Sequence, residues 1–369
     1  MSKIRVLVVD DAVVIRRLVT DLLSTDPELE VVGVAANGKL ALAKLDQLTP
    51  DLVMLDIEMP EMDGLETLDH LRKLHPKLPV IMFSTLTERG ASATMEALAR
   101  GASDYVTKPA KVGSVMQAKA QIRDELIPKI KALCGRAVLP HPVAAPAHAA
   151  IDTVVPQNVP PRLALPSRAD ILAIGVSTGG PNALAVLLPM LPADFPLPIV
   201  IVQHMPPIFT RFLAQRLSAS CRIDVKEAEG GGVLRPGQAW IAPGDYHMLL
   251  RRDAANVRIV LNQDPQENSC RPAVDPLFRS VAQLYGVHTL GLVLTGMGQD
   301  GMRGAGAIRQ VHGQVLAQDE VSSVVWGMPG AVVSAGLADR VLPLDLIANE
   351  LMQRVQVGRP LRFAHPSVR

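Results

Sequence analysis

Short, almost purely apolar runs punctuate this chain, and each stops abruptly at polar residues. Ile4–Val9 (IRVLVV) ends on Asp10 and Asp11, and comparable runs follow at 31–35, 52–55, 79–83 and 104–107. Helix-period patterns lie between them, near 12–25, 37–47, 64–74 and 89–100. A strand that is apolar on both sides must be covered on both faces, and strands separated by a helix pair in parallel. The pattern therefore demands an α/β fold whose first five units close one complete domain. A second series starts at 171–175 and continues through 198–202, 239–242, 257–261, 289–295 and a strand holding Val315 and Ala317.

The length of 369 residues leaves room for two or three cores. Aromatic residues make up only 3%, so those cores are built from Val, Leu, Ile, Ala and Met. Residues 136–168 are dense in Pro and Ala without strand or helix period, the composition of a linker. The expected division is a first domain over 1–125, a helical extension and Pro/Ala-rich linker over 126–168, a second domain over 169–355 and a tail over 356–369. The net charge of +1 gives no drive toward nucleic acid or an anionic bilayer, although residues 1–109 carry 12 Lys/Arg against 17 Asp/Glu. Cys134, Cys221 and Cys270 are far apart, and reduced thiols are expected. Without a signal-peptide pattern or an apolar run of membrane-spanning length, a soluble cytoplasmic protein with no membrane insertion is expected.

In a parallel sheet the residues that end the strands share one edge, where open α/β folds bind ligands. In the first domain this gathers Asp10 and Asp11 after the first strand, Asp56 after the third, Ser84 after the fourth and Lys108 after the fifth. Three nearby acids repel unless a cation compensates, and oxygen donors suit Mg²⁺. Asp56 then fits a phosphoryl acceptor that shares metal binding with Asp10 and Asp11. Ser84 fits a donor to the phosphoryl group and Lys108 its countercharge. The same acids also fit helix caps on a ligand-free domain.

The second domain places Gly175-Val176-Ser177-Thr178-Gly179-Gly180-Pro181 directly after a strand. The G-x-S-x-G spacing permits a tight strand-to-helix turn that exposes the serine hydroxyl, though such turns also cradle phosphates. His204 and Asp300 likewise follow apolar strands. His204 can take the Ser177 proton while Asp300 fixes the imidazole. The order Ser, His, Asp departs from that of the α/β-hydrolases, which excludes that assignment and keeps acyl transfer.

VLVVDD at 6–11, LDIEMPEMDG at 55–64, FS at 83–84 and DYVTKP at 104–109 resemble the receiver domain of two-component response regulators. GVSTGGP at 175–181, VQHMP at 202–206, IAPGDYHM at 241–248 and LTGMGQDG at 294–301 resemble the catalytic domain of chemotaxis protein-glutamate methylesterases. The resemblance implies a (βα)5 receiver followed by a Rossmann-like three-layer α/β methylesterase domain. It implies phosphorylation of Asp56 by a chemotaxis histidine kinase with Mg²⁺, and coupling through Ser84 and Tyr105. It further implies a Ser177, His204, Asp300 triad with Thr178 beside the nucleophile, the Met297 N–H as an oxyanion donor, and no cofactor in the esterase site. The implied substrates are glutamate γ-methyl esters on methyl-accepting chemoreceptors, with glutamine deamidation as a related activity and chemoreceptor arrays as the location. His247, near the same face, fits a structural or substrate-contact role. A phosphorylation-controlled binding protein without catalysis is the alternative, and no helix-turn-helix pattern supports a DNA-binding output.

Overall fold

The computed structural model describes residues 2–108, 115–135 and 168–359. The first sheet contains β1 (Ile4–Val9), β2 (Leu29–Ala35), β3 (Leu52–Asp56), β4 (Val80–Ser84) and β5 (Asp104–Thr107). Its order is β2-β1-β3-β4-β5, with every neighbouring pair parallel. Around it lie α1 (Val13–Leu23), α2 (Gly38–Leu48), α3 (Gly64–Leu74), α4 (Glu88–Ala99) and α5 (Val115–Leu133). Asn37, Asp63 and Thr87 start α2, α3 and α4 by accepting a backbone N–H in the first turn, which satisfies an otherwise orphaned donor. Alternate residues of one strand enter different cores: Leu7 and Val9 face one helix layer, Val6 and Val8 the other. Helix α5 runs through residue 125 without a break, so the extension expected after 125 continues the last helix of the domain. The remaining linker segment, 136–167, and the tail from 360 lie outside the described residues.

The second half contains β6 (Ile171–Val176), α6 (Gly180–Leu187), β7 (Ile199–Gln203), α7 (Phe209–Ser220), β8 (Asp224–Glu227) and β9 (Gln238–Ile241). A hairpin of β10 (His247–Asp253) and β11 (Asn256–Asn262) leads to α8 (Val274–Tyr285) and β12 (Thr289–Val293). The chain finishes with α9 (Met302–Gln310), β13 (Gln314–Gln318), α10 (Met328–Ser334), β14 (Arg340–Leu342) and α11 (Leu344–Gln356). Seven strands pair in parallel in the order β14-β13-β12-β6-β7-β9-β8. The run at 257–261, expected in the parallel series, is instead one arm of the separate antiparallel hairpin. Its residues are mostly half-buried, as suits a strand with one covered face. Among the described residues no helix is long and apolar enough to cross a membrane.

The two halves share one apolar core, in which Met95, Leu98 and Tyr105 join Phe209 and Leu213. The Tyr105 and Phe209 rings stack with centroids 5.0 Å apart and planes 11° from parallel. Asn182 Nδ2 donates to the Ala102 carbonyl at 3.2 Å, and Arg211 pairs with Glu88 at 2.5 Å. On the far face of the second sheet, Phe278 of α8 is wholly buried, and Gly304 lets α9 approach α8 there, since a Cβ on it would lie 2.5 Å from that of Phe278. Phe278→Ala should cost about 3–5 kcal/mol, because the rigid surroundings cannot close over the void. Urea unfolding would show this as a lower midpoint of the transition assigned to the second domain.

Candidate active site

Three neighbouring strands of the seven-stranded sheet, β12, β6 and β7, deliver one candidate residue each. Ser177 follows β6 directly, and its N–H donates to the Thr295 carbonyl at 3.0 Å. Its own carbonyl accepts from Gly180 N at 2.8 Å and Gln203 Nε2 at 2.9 Å, which fixes the turn. Gly179 adopts φ 78°, and a Cβ there would lie 2.6 Å from Val324, so both conformation and space require glycine. A Cβ on Gly296 would sit 2.8 Å from that of Ser177, so this glycine lets the loop after β12 pass beside the serine.

His204 follows β7, and its N–H donates to the Val176 carbonyl at 3.2 Å. The ring Nε2 lies 2.7 Å from Asp300 Oδ2, and Nδ1 lies 3.6 Å from Cys270 Sγ. Asp300 is buried yet fully served by donors. Oδ2 also accepts from Val274 N at 2.6 Å, while Oδ1 accepts from Asn268 Nδ2 at 2.8 Å, Asp275 N at 3.0 Å and Gly301 N at 2.9 Å. Burial pushes the Asp300 pKa up, but the bond and charge of His204 and these backbone donors prevail and hold it below its ordinary value. Burial likewise lowers the His204 pKa, and the adjoining Cys270 and Asp300 reverse this, so the imidazole is raised. Thr178 is buried and Met297 half-buried; among the described residues neither backbone N–H has a hydrogen-bond partner, and neither does Ser177 Oγ. His247 accepts from Ala273 N at 3.2 Å through Nδ1 and contacts the Pro265 carbonyl at 3.1 Å through Nε2, so it fixes the segment behind the site.

The first sheet forms a second polar cluster at its carboxyl edge. Lys108 Nζ lies 2.9 Å from Asp10 Oδ2 and 2.8 Å from Asp56 Oδ2. Asp10 is buried, Asp11 exposed, and the carboxylate oxygens of Asp10, Asp11 and Asp56 fall within 4.8 Å of one another. An all-oxygen donor set with surplus negative charge fits a hard divalent cation such as Mg²⁺. Ser84 Oγ donates to the Gly90 carbonyl at 3.0 Å, and Tyr105 is buried with its ring stacked on Phe209.

The structure thus brings Ser177, His204, Asp300, Thr178 and Met297 to one edge, and Asp10, Asp11, Asp56, Ser84 and Lys108 to another. Asn268, Cys270 and Asp275 complete the surroundings of the histidine and are absent from the residues that the sequence motifs single out. Asp275, whose Oδ1 accepts from Gly301 N and Gly304 N, carries a signal as an acid in the first turn of an amphipathic helix. Asn268 and Cys270 carry none, since both lie on a turn with no periodicity.

Fold and site define a response-regulator receiver joined to a serine-bearing parallel α/β domain. The receiver family model matches residues 6–120, and the model described as CheB methylesterase matches residues 172–351. A protein-glutamate methylesterase/protein-glutamine glutaminase of Trichodesmium erythraeum is 54% identical over 356 residues, covering 96% of this chain and 100% of the relative. One of Nocardioides is 55% identical and covers 98% of each chain. The crystal structure of the Thermotoga maritima CheB methylesterase catalytic domain is 44% identical, with a TM-score of 0.50, over 51% of this chain and 99% of that one. The chain belongs to the CheB methylesterase family.

Burial, helped by the Asp10 charge, raises the Asp56 pKa from 3.8 to about 6, more than Lys108 and the Ile57 N–H can offset. The folded state therefore binds this proton more tightly than the unfolded chain does. The associated stability is full below pH 3.8 and is lost as pH rises through about 6. Asp56→Asn, which carries no charge to bury, should be more stable than wild type at pH 8 without divalent cations, by on the order of 3 kcal/mol. Urea unfolding of both proteins should show a smaller advantage at pH 5; an equal advantage at the two pH values would contradict the assignment.

Proposed function

We propose that this chain hydrolyses glutamate γ-methyl esters on methyl-accepting chemoreceptors, and deamidates glutamine there, under control of phosphorylation at Asp56. The observation that carries the reading is the convergence of Ser177, His204 and Asp300 from three adjacent strands, with His204 and Asp300 at 2.7 Å. Asp300 accepts the Nε2 proton, so Nδ1 is the basic nitrogen. It takes the Ser177 proton as Oγ bonds to the ester carbonyl carbon. The Thr178 and Met297 N–H groups receive the oxyanion. Collapse breaks the bond to methoxide, which leaves as methanol with the proton from Nδ1. Water then attacks the acyl-serine, giving its proton through His204 back to Ser177 and releasing receptor glutamate. For glutamine the C–N bond breaks and ammonia leaves. No step calls for a cofactor in this site.

Asp10, Asp11 and Asp56 would hold Mg²⁺, which when bound offsets charge during phosphoryl transfer from a chemotaxis histidine kinase. Lys108 and Ser84 would then engage the phosphoryl oxygens. The repacking reaches the Tyr105–Phe209 stack and shifts the population toward an accessible serine site. The protein would work in the cytoplasm at chemoreceptor arrays, with neither nucleic acid nor membrane insertion involved.

Methanol release from methylated chemoreceptor membranes tests the reading. Wild type should release methanol, faster with acetyl phosphate and Mg²⁺, and Ser177→Ala should fall by at least about 10³-fold. Release by neither protein from several methylated receptors would favour a binding module instead. Asp300→Asn should lower the plateau of kcat/KM by about 10²–10⁴-fold and move its acidic limb to lower pH, since the carboxylate that raises the His204 pKa is gone.

A further inference from the structure

We propose that Cys270 is a second nucleophile built onto the same imidazole as Ser177, a thiol that soft electrophiles modify and whose modification silences the serine. Its sulfur lies 3.6 Å from His204 Nδ1, on the ring nitrogen not taken by Asp300. The imidazole is therefore flanked by a thiol and a carboxylate, the arrangement by which Cys–His pairs withdraw a thiol proton. Cys270 is half-buried, so a small reagent can reach it.

A tight turn sets this contact. Cys270 N donates to the Glu267 carbonyl at 2.9 Å and Glu267 N to the Cys270 carbonyl at 3.2 Å. Between them Asn268 and Ser269 adopt φ 51° and 61°, the left-handed pair of a type I′ turn. Arg279 of α8 pairs with the Glu267 carboxylate, and Asn268 Nδ2 bridges Asp275 Oδ2 at 3.0 Å and Asp300 Oδ1 at 2.8 Å. One turn thus braces the Asp300 side of the ring and delivers sulfur to the other. The remaining cysteines differ: burial pushes the Cys221 thiol up, and Cys134 Sγ points to the Asp51 carbonyl at 3.9 Å.

With iodoacetamide, sulfur forms the S–C bond, the C–I bond breaks, iodide leaves with the electron pair, and His204 Nδ1 takes the thiol proton and passes it to solvent. The added group then occupies the space at Nδ1 that Ser177 needs. This last consequence rests on the proposed esterase function; the thiol's reactivity does not.

Time-resolved labelling of the full chain with iodoacetamide, followed by peptide mass spectrometry, compares the three cysteines in one molecule. Cys270 should alkylate at least about tenfold faster than Cys221, and His204→Gln should bring its rate down toward that of Cys221. Unchanged rates at Cys134 and Cys221 report that the variant is folded; if they rise, His204→Asn takes its place. A Cys270 rate no higher than that of Cys221, or one indifferent to His204, overturns the pair. Methanol release should disappear in step with Cys270 labelling, and whatever activity Cys270→Ser retains should survive the reagent. Full activity after complete Cys270 labelling overturns the silencing. Absence of methanol from the unlabelled enzyme counts against the esterase reading alone, and the labelling rates still decide the Cys–His pair.

Discussion

Parallel strands buried on both faces leave a sheet only its ends for polar chemistry, and both halves of this protein obey that constraint. In the first sheet β1 has β2 on one side and β3 on the other, so successive crossovers run in opposite directions. In the second, β6 lies between β7 and β12 in the same manner. Such a reversal opens a crevice at the carboxyl edge, because the connecting helices diverge to opposite faces. Asp10 and Asp56 border the first crevice, and Ser177, His204 and Asp300 the second. The glycines at 179 and 296 follow from this crowding, since each lets backbone pass where a side chain would collide.

Two buried carboxylates at these edges titrate in opposite directions, and donor supply explains why. Asp300 receives two donors at Oδ2 and three at Oδ1, including backbone N–H groups at the start of α8, where the helix field favours negative charge. Asp56 has the Ile57 N–H and a lysine divided with Asp10, and burial prevails. On the proposed function, the carboxylate that would have to stay charged beside a proton-shuttling imidazole is the over-satisfied one. The one proposed for covalent capture is left short of donors, a deficit that a cation or a phosphoryl group with its own partners would fill.

Residues that end apolar strands are legible in the sequence, since a parallel sheet converts the end of a strand into a place at the site. That logic reaches Asp10, Asp56, Ser84, Lys108, Ser177, His204 and Asp300, and the family motifs add Thr178 and Met297. It does not reach Asn268 or Cys270, whose positions depend on a left-handed turn after an antiparallel hairpin. The hairpin strand at 257–261 imitates a member of the parallel series, because a short apolar run has no mark that separates a parallel strand from an antiparallel one. Pairing is decided by what covers the second face, and here Trp240, Leu250 and Ile259 share a core on one side only.

The contact between the halves joins these two edges through a short mechanical chain. Ser84 Oγ holds the Gly90 carbonyl in the first turn of α4, and Glu88 of the same turn pairs with Arg211 of α7. Tyr105, three residues before Lys108 on β5, presents its ring to Phe209, at the start of α7, while Lys129 Nζ holds its carbonyl at 2.7 Å. A phosphoryl group on Asp56 that drew Ser84 Oγ and Lys108 toward itself would release the Gly90 carbonyl and pull on β5 together. Both displacements act on α7, which begins five residues after His204. On the proposed reading, the acid edge would be coupled to the serine edge by competition for one hydroxyl and one ammonium.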